Sequence, residues 1–150
     1  MFKLFIWDLD NTLIGSSRLL WSAFGMVAEK YAGKRMTPEQ IVSLYGPPEG
    51  AVIEAIVGKN QKEEALEDFY RSYQNHHQEL VDVFWEVLAI IPFLRSQGIF
   101  QAIFTSKGRR SADITLQMLQ VTSLFDTVVC GDEIPRPKPY PDGVKTILTR

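Results

Sequence analysis

The 150-residue chain has little of what defines several large protein classes. It holds one cysteine, Cys130, which excludes a disulfide within the chain and fits a reducing compartment, so a cytoplasmic location is expected. It also has no excess of basic residues, since 16 Lys and Arg stand against 18 Asp and Glu. Because a nucleic-acid-binding protein needs a basic stripe, we expect no nucleic-acid partner.

Long apolar runs are also missing from the sequence. The apolar N-terminal stretch, residues 1–7, stops at Asp8, and no small-residue cleavage site follows it. It is too short for a membrane span and does not have the form of a signal peptide, so no membrane association is expected. Repeats, Walker-type phosphate loops and metal-binding cysteine clusters are absent from the sequence as well.

What the sequence does have is three short apolar runs of the kind that form strands buried in a parallel sheet. These runs are residues 4–9, 99–104 and 125–130. Each is followed by polar residues and then by a helical pattern. This alternation is typical of an α/β fold in which helices flank a parallel sheet.

The interval between the first two runs is much longer than a single strand-helix-strand crossover needs. It contains several helical patterns, which predicts a helical insertion after the first strand. We therefore expect an α/β core formed by residues 1–14 and 83–150. Residues 15–82 are expected to form a separate unit, which we call the helical cap.

Local signals predict where some helices begin and end. Thr37 and Gln40 form a capping-box pattern around Pro38, which indicates a helix start. Residues 49–57 form a short helical candidate that ends at a glycine. Pro92 falls inside the helix that precedes the second strand, so we expect a kink or a late start there.

Two features of the cap allow more than one interpretation. The loop of residues 46–50, Gly-Pro-Pro-Glu-Gly, lines the substrate cleft in one interpretation and simply connects two helices in the other. His76 and His77 lie near the end of a cap helix without an evident partner. We expect both to be solvated or to cap the helix end, and not to bind a metal.

The feature with the clearest chemistry is the pair Asp8 and Asp10 at the end of the first strand. Strand side chains alternate, so positions two apart face the same way, and ligands of open parallel sheets bind at this edge. Two neighbouring carboxylates repel each other unless a cation lies between them. Mg²⁺ suits such a site, although a polar strand end with a turn would give the same pattern.

Polar residues also follow the other two strands. Thr105 and Ser106 end the second strand, where hydroxyl and backbone N–H groups could bind a phosphate. Lys138 lies in the loop after the third strand, where it could neutralise charge on a transferring phosphoryl group. Taken singly, each is an ordinary polar residue, but three such groups at three successive strand ends favour a shared site.

Together these motifs resemble the haloacid dehalogenase superfamily, in its phosphoglycolate phosphatase-like branch. Residues 8–12, Asp-Leu-Asp-Asn-Thr, match the first motif of that family, Thr105 falls on the second, and Lys138 on the third, in its Lys-Pro-x-Pro-Asp form. The resemblance covers essentially the whole chain. It implies a Rossmann-like parallel sheet with an inserted helical cap.

The resemblance also implies roles for these residues in a magnesium-dependent phosphatase acting on a small phosphorylated metabolite. Asp8 would be the nucleophile that becomes an aspartyl-phosphate, and Asp10 the general acid and base. Mg²⁺ would be held by the Asp8 carboxylate and the Asp10 backbone carbonyl. Thr105, Ser106 and Lys138 would bind the substrate phosphate.

Three alternatives stay open. A phosphomutase would use the same aspartyl-phosphate, and cap residues would decide between the two. A haloacid dehalogenase shares the fold, but that branch does not keep the second aspartate, so Asp10 counts against it. A non-catalytic fragment is the third alternative, and it would bind partners through an exposed sheet edge.

The third alternative arises because the family's fourth motif, an acidic cluster that supplies a further metal ligand, does not occur before Arg150. We expect the sequence to be a piece of a longer enzyme, or else a natural short form. We also expect the first strand to be an exposed apolar edge. We expect catalysis by these 150 residues alone to be impaired, because Mg²⁺ would lose a carboxylate ligand, and the sequence makes no prediction of the oligomeric state.

Overall fold

A computed structural model describes residues 2–150 of the protein. Its strands are β1 (Leu4–Trp7), β2 (Ile14–Gly15), β3 (Asp82–Val83), β4 (Phe100–Phe104) and β5 (Thr127–Val129). Its helices are α1 (Ser17–Ala32), α2 (Pro38–Val42), α3 (Glu49–Val57), α4 (Lys62–Leu80), α5 (Trp85–Leu88), α6 (Ile90–Ser96), α7 (Arg109–Met118) and α8 (Asp142–Leu148). The α/β fold class predicted from the sequence is confirmed.

Strands β1, β4 and β5 form a parallel sheet in the order β1-β4-β5. The central strand β4 is buried at all residues but Phe100. In the part of the chain that the structure describes, β1 pairs with β4 alone, and Phe5 is 43% exposed. The expectation of a strand buried on both faces is therefore wrong for β1, whereas the expected apolar edge is confirmed.

Helices α1 to α4 follow β1 and form the predicted helical insertion. The short strands β2 and β3 pair antiparallel where the chain leaves and re-enters the α/β part. Helices α1 and α4 pack against each other through aromatic rings, with the Phe24 and Phe69 centroids 4.7 Å apart. The division of the chain into a separate core and cap remains a proposal.

Several helix boundaries follow from local chemistry. The Thr37 side chain accepts from the Gln40 N–H, and the Gln40 side chain accepts from the Thr37 N–H, so the predicted capping box is confirmed. Helix α3 spans Glu49–Val57 as predicted. The helix before β4 is interrupted at Ala89, because Pro92 has no N–H to donate to the Leu88 carbonyl.

The expectation for the two histidines is wrong in one case. His76 is exposed, as expected, but His77 is only 1% exposed, on the face of α4 that packs against α7. Its Nε2 lies 3.3 Å from the Thr115 hydroxyl, which is also 2.9 Å from the Tyr73 hydroxyl. Burial lowers the pKa of His77 from 6.5 to about 4, and the nearby Lys107 charge acts in the same direction.

The parallel sheet determines where the polar residues lie. Asp8 follows β1, Thr105 follows β4, and the loop after β5 leads to Lys138. The carboxyl ends of all three strands therefore meet at one edge, below the helices of the insertion. None of the helices within residues 2–150 is long and apolar enough to span a bilayer.

Candidate active site

The Asp8 carboxylate contacts a backbone N–H through one oxygen and, through the other, a lysine that is distant in sequence. Its Oδ1 accepts from the N–H of Leu9 at 2.7 Å, and its Oδ2 lies 2.8 Å from the Lys138 Nζ. The Asp8 side chain keeps 42% of its surface exposed. The carboxylate is therefore oriented by two neighbours and still open to a ligand from the pocket.

Asp10 is more enclosed than Asp8. The Ser16 hydroxyl donates to its Oδ1, and the Lys107 Nζ lies 3.2 Å from its Oδ2. Asn11 follows with a φ of 61°, a left-handed conformation that asparagine adopts at low cost. This turn directs the chain away from the sheet after Asp10 and leads it toward α1.

Lys107 lies at the bottom of the site, and its side chain is only 2% exposed. Besides Asp10, it approaches Glu49 Oε1 at 4.0 Å and lies 5.0 Å from the centroid of the Tyr73 ring. Burial lowers the pKa of Lys107, but the charges of Asp10 and Glu49 and the Tyr73 hydroxyl outweigh it, so the pKa is raised. Lys107 is therefore a permanent buried cation.

Glu49 connects the first turn of α3 to the loop after β4. It is 5% exposed, and its Oε2 accepts from the Gly108 N–H at 2.7 Å. A Cβ at Gly108 would lie 2.5 Å from that oxygen, so the approach depends on glycine. The contact joins the helical insertion to the α/β part of the molecule directly beside Lys107.

Thr105 and Ser106 form the wall after β4. Thr105 is 1% exposed, and its hydroxyl accepts from the Lys107 N–H at 3.2 Å. The carbonyl oxygen of Ser106 would lie 2.4 Å from a Cβ at Gly131, so this loop packs closely on the loop after β5. Because Gly131 has no Cβ, the loop that carries Thr105 and Ser106 can pack this closely on the loop after β5.

A pocket of about 230 Å³ opens between the strand ends and the helical insertion. Four of the predicted site residues line it, namely Asp8, Asp10, Thr105 and Ser106. The fifth, Lys138, contacts the site through its ion pair with Asp8. From the loop before α3, Gly46 and Pro47 line the pocket, as does Tyr45, whereas contact of that loop with a substrate stays a prediction.

Two residues of this site, Lys107 and Glu49, were given no individual role from the sequence. Lys107 follows Thr105 by two positions, and a basic residue so close to a phosphate-binding candidate was a usable signal. Glu49 lies in the loop of residues 46–50 that one interpretation placed at the cleft, but its contact with Gly108, 59 residues away, could not be predicted. Only the packing of α3 over the strand ends brings the two together.

The oxygen donors of the site suit one class of metal ion. Among residues 2–150, no cluster of three or more His, Cys, Asp or Glu side chains could enclose a metal. Mg²⁺ does not need such a cluster, since it is usually bound by one or two carboxylates and completed by water and substrate phosphate. The carboxylate of Asp8 and the oxygens of Asp10 fit that requirement.

Comparison with known proteins identifies the family to which the chain is similar. A family model described as haloacid dehalogenase-like hydrolase matches residues 5–150. Among curated proteins, the pyrophosphatase PpaX of Bacillus cereus is 29% identical over 143 residues, which are 95% of this chain. The chain spans 66% of the length of that relative.

Solved structures agree on the fold. CbbY from Rhodobacter sphaeroides, in complex with phosphate, has a TM-score of 0.83 at 16% identity, covering 99% of this chain and 72% of its own. A protein described as a candidate β-phosphoglucomutase from Thermotoga maritima has a TM-score of 0.71 at 28% identity, covering 100% of this chain and 70% of its own.

Proposed function

The chain belongs to the haloacid dehalogenase-like hydrolases, and on that basis we propose that the protein is a magnesium-dependent phosphatase of a small phosphorylated metabolite. Asp8 is the nucleophile, and Asp10 is the general acid and base. The observation that carries this proposal is the pairing of each aspartate with its own lysine at the edge of one pocket.

In the first half-reaction, the Asp8 carboxylate attacks the substrate phosphorus and the ester P–O bond breaks. Asp10 gives its proton to the departing oxygen, so that oxygen leaves as a hydroxyl group. An aspartyl-phosphate remains on Asp8. Splitting the hydrolysis in this way replaces one difficult step by two easier ones.

In the second half-reaction, water attacks the phosphorus of the aspartyl-phosphate. Asp10 accepts the proton of that water, and the bond between phosphorus and Asp8 breaks. Inorganic phosphate leaves and the Asp8 carboxylate is restored. Since Asp10 begins and ends the cycle in the same protonation state, no further acid or base is needed.

The remaining residues bind and stabilise charge. Thr105 and Ser106 present hydroxyl and backbone N–H groups to the phosphoryl oxygens, while Lys138 holds the Asp8 carboxylate and neutralises charge beside it. A bound Mg²⁺, held by the Asp8 carboxylate and the Asp10 backbone carbonyl, would supply further neutralisation of phosphoryl charge. Lys107 fixes the Asp10 carboxyl group at 3.2 Å.

The test is replacement of the nucleophile by its uncharged isostere. With p-nitrophenyl phosphate and Mg²⁺, Asp8→Asn should lower kcat by roughly a thousandfold or more, because no acyl phosphate can form. Removal of Mg²⁺ by a chelator should abolish the phosphatase activity of the unmodified protein. A surface control on α7, Asp113→Asn, should leave kcat within about twofold. Full magnesium-dependent activity in Asp8→Asn would refute the proposal.

A phosphomutase is the second candidate, and the 28% identity to a candidate β-phosphoglucomutase favours it. The chemistry differs only in the acceptor, which is a sugar hydroxyl in place of water. Phosphoenzyme that discharges much faster on addition of a sugar phosphate than in buffer would favour the mutase. Discharge at the same rate in both would favour the phosphatase.

A further inference from the structure

The pocket has two chemically different walls. The strand-end wall carries the acidic pair, the two hydroxyl residues and Lys107. The opposite wall comes from α1, α3 and the loop before α3, and its side chains are mostly apolar. Its apolar side chains are Leu20, Phe24, Pro47 and Val52, and its polar side chains are Ser17, Tyr45 and Glu49.

Cations are scarce around this pocket. Within the described chain, Lys107 is the one basic residue among those that line it, and both of its charged neighbours are carboxylates. Lys138 is the other nearby ammonium, and it is paired with Asp8 at 2.8 Å. Neither lysine belongs to the second wall, so neither is placed to receive an anionic group at the far end of a substrate.

Arginines near the site in sequence are paired elsewhere, and Arg109 and Arg136 form ion pairs with Glu133 and Asp142. Arg110, at the start of α7, makes a two-pronged contact with Glu67 and lies 4.3 Å from the centroid of the Tyr70 ring. Arg18, at the start of α1, bonds to Asp82 at 3.0 Å. None of these arginines lines the pocket.

Glu49 adds a negative charge to the second wall. It is 5% exposed and approaches the same ammonium as Asp10, so one buried cation serves two carboxylates. With Asp8, the site holds three carboxyl groups and two lysines, and each lysine already contacts at least one of these carboxyl groups. A carboxylate or phosphate next to Glu49 would meet a like charge whose nearby cation, Lys107, is already shared with Asp10, and this repulsion disfavours a substrate with a second anionic group.

We propose that the leaving group of the substrate is an uncharged alcohol, so that the reactive phosphate is the only anionic group of the substrate. This inference rests on the proposed phosphatase function. Carbon atoms of the alcohol would pack on Leu20, Phe24 and Val52, and its hydroxyls would bond to Tyr45 or Glu49. The specificity then differs from that of the pyrophosphatase relative, whose named substrate releases a phosphate anion.

Two esters of nearly equal size test this directly on the protein made from its complete reading frame. They are 2-hydroxyethyl phosphate and 2-phosphoglycolate, which differ in having a CH2OH or a carboxylate group at the far end. We expect kcat/KM to be roughly tenfold or more higher for the neutral ester, because of repulsion by Glu49. Inorganic pyrophosphate should be at least as poor a substrate as 2-phosphoglycolate.

A charge-removing variant identifies the residue responsible. Glu49→Gln keeps an oxygen that can accept from the Gly108 N–H, but it removes the negative charge. It should narrow the preference for the neutral ester by about threefold or more. The matched control Glu54→Gln, on the same helix and paired with Lys62, should leave the preference unchanged. Calorimetric binding of both esters to Asp8→Asn, which does not turn over, should show the same order.

The outcomes separate the two proposals. Equal or faster hydrolysis of 2-phosphoglycolate or pyrophosphate overturns the inference about the leaving group and leaves the phosphatase function standing. An unchanged preference in Glu49→Gln also counts against it, since the charge would then play no part. Absence of magnesium-dependent hydrolysis of any of these compounds and of p-nitrophenyl phosphate overturns both.

Discussion

At the scale of single residues, Lys107 controls the electrostatics of the site. Its side chain is 2% exposed and serves carboxylates from two separate parts of the chain, Asp10 after β1 and Glu49 in α3. A buried ion pair adds little net stability when complete. Removing one partner is costly, however, because the other charge stays buried and unpaired.

We therefore expect Lys107→Met to lower the free energy of unfolding by roughly 3 kcal/mol. The aliphatic side chain replaces the packing of the lysine stem, but Glu49 keeps a buried carboxylate next to no cation. Urea unfolding followed by circular dichroism measures the difference. The exposed Lys34→Met should change stability by less than about 0.5 kcal/mol. Equal stability of both variants would show that Lys107 is not needed to hold these charges.

Residue-level prediction worked where the chemistry was local. Asp8 and Asp10 line one pocket as expected, although β1 ends at Trp7 and the alternation of a strand does not extend to them. Lys138 was found through its own loop motif, and the structure brings it to within 2.8 Å of Asp8. The contacts of Glu49 with Lys107 and Gly108 could not be predicted in this way, because they are set by the packing of α3 and not by neighbouring sequence.

At the scale of elements, the position of α8 depends on one close contact. A Cβ at Gly143 would lie 2.2 Å from a carbon of the Phe104 ring, which is 5% exposed and packed in the sheet. Lys138 lies over the same ring, with its Nζ 4.9 Å from the centroid. A shift of Phe104 would therefore disturb a residue of the proposed active site as well as the packing of α8.

Two glycine-to-alanine substitutions should have opposite effects on stability. Gly143→Ala should destabilise by about 1–3 kcal/mol, because the added Cβ would overlap the buried ring of Phe104. Gly25→Ala, inside α1, meets only the end of the Ile41 side chain at 3.9 Å and should stabilise by about 0.5–1 kcal/mol. Thermal unfolding measures both. Stabilisation by both substitutions would mean that the contact between α8 and β4 is not tight.

Elements with strong terminal signals were predicted well from the sequence. The capping box at Thr37 and the glycine after α3 gave boundaries that the structure keeps. Strand β1 was predicted to continue to Leu9, but it ends at Trp7, because its pairing with β4 ends there. Strand ends depend on a partner strand, whereas many helix ends are determined by adjacent residues.

At the scale of the whole molecule, His77 makes stability depend on pH. The folded protein keeps this buried imidazole neutral, since its pKa is lowered from 6.5 to about 4. An unfolded chain takes up a proton near pH 6.5. The contribution of His77 to the free energy of unfolding is therefore at its maximum above pH 6.5, and it is lost as the pH falls toward 4.

We expect the difference in unfolding free energy between pH 7.5 and pH 4.5 to shrink by about 2–3 kcal/mol in His77→Gln. Urea titrations at both pH values measure it, and subtraction between variants removes the contribution of carboxylates that also titrate in this range. His76→Gln, which changes an exposed ring on the same helix, serves as the control. The same pH dependence in all three proteins would mean that His77 is protonated in the folded state.

The most direct measurement for the proposed function is the chemical state of Asp8 during turnover. The protein is incubated with a phosphomonoester and Mg²⁺, quenched in acid and digested, and the N-terminal peptide is sequenced by mass spectrometry. We predict one phosphoryl group on Asp8 and none on Asp10, with no phosphopeptide from Asp8→Asn. Hydrolysis that proceeds without any phosphoryl group on Asp8, or with one on another residue, would contradict the assignment of Asp8 as nucleophile.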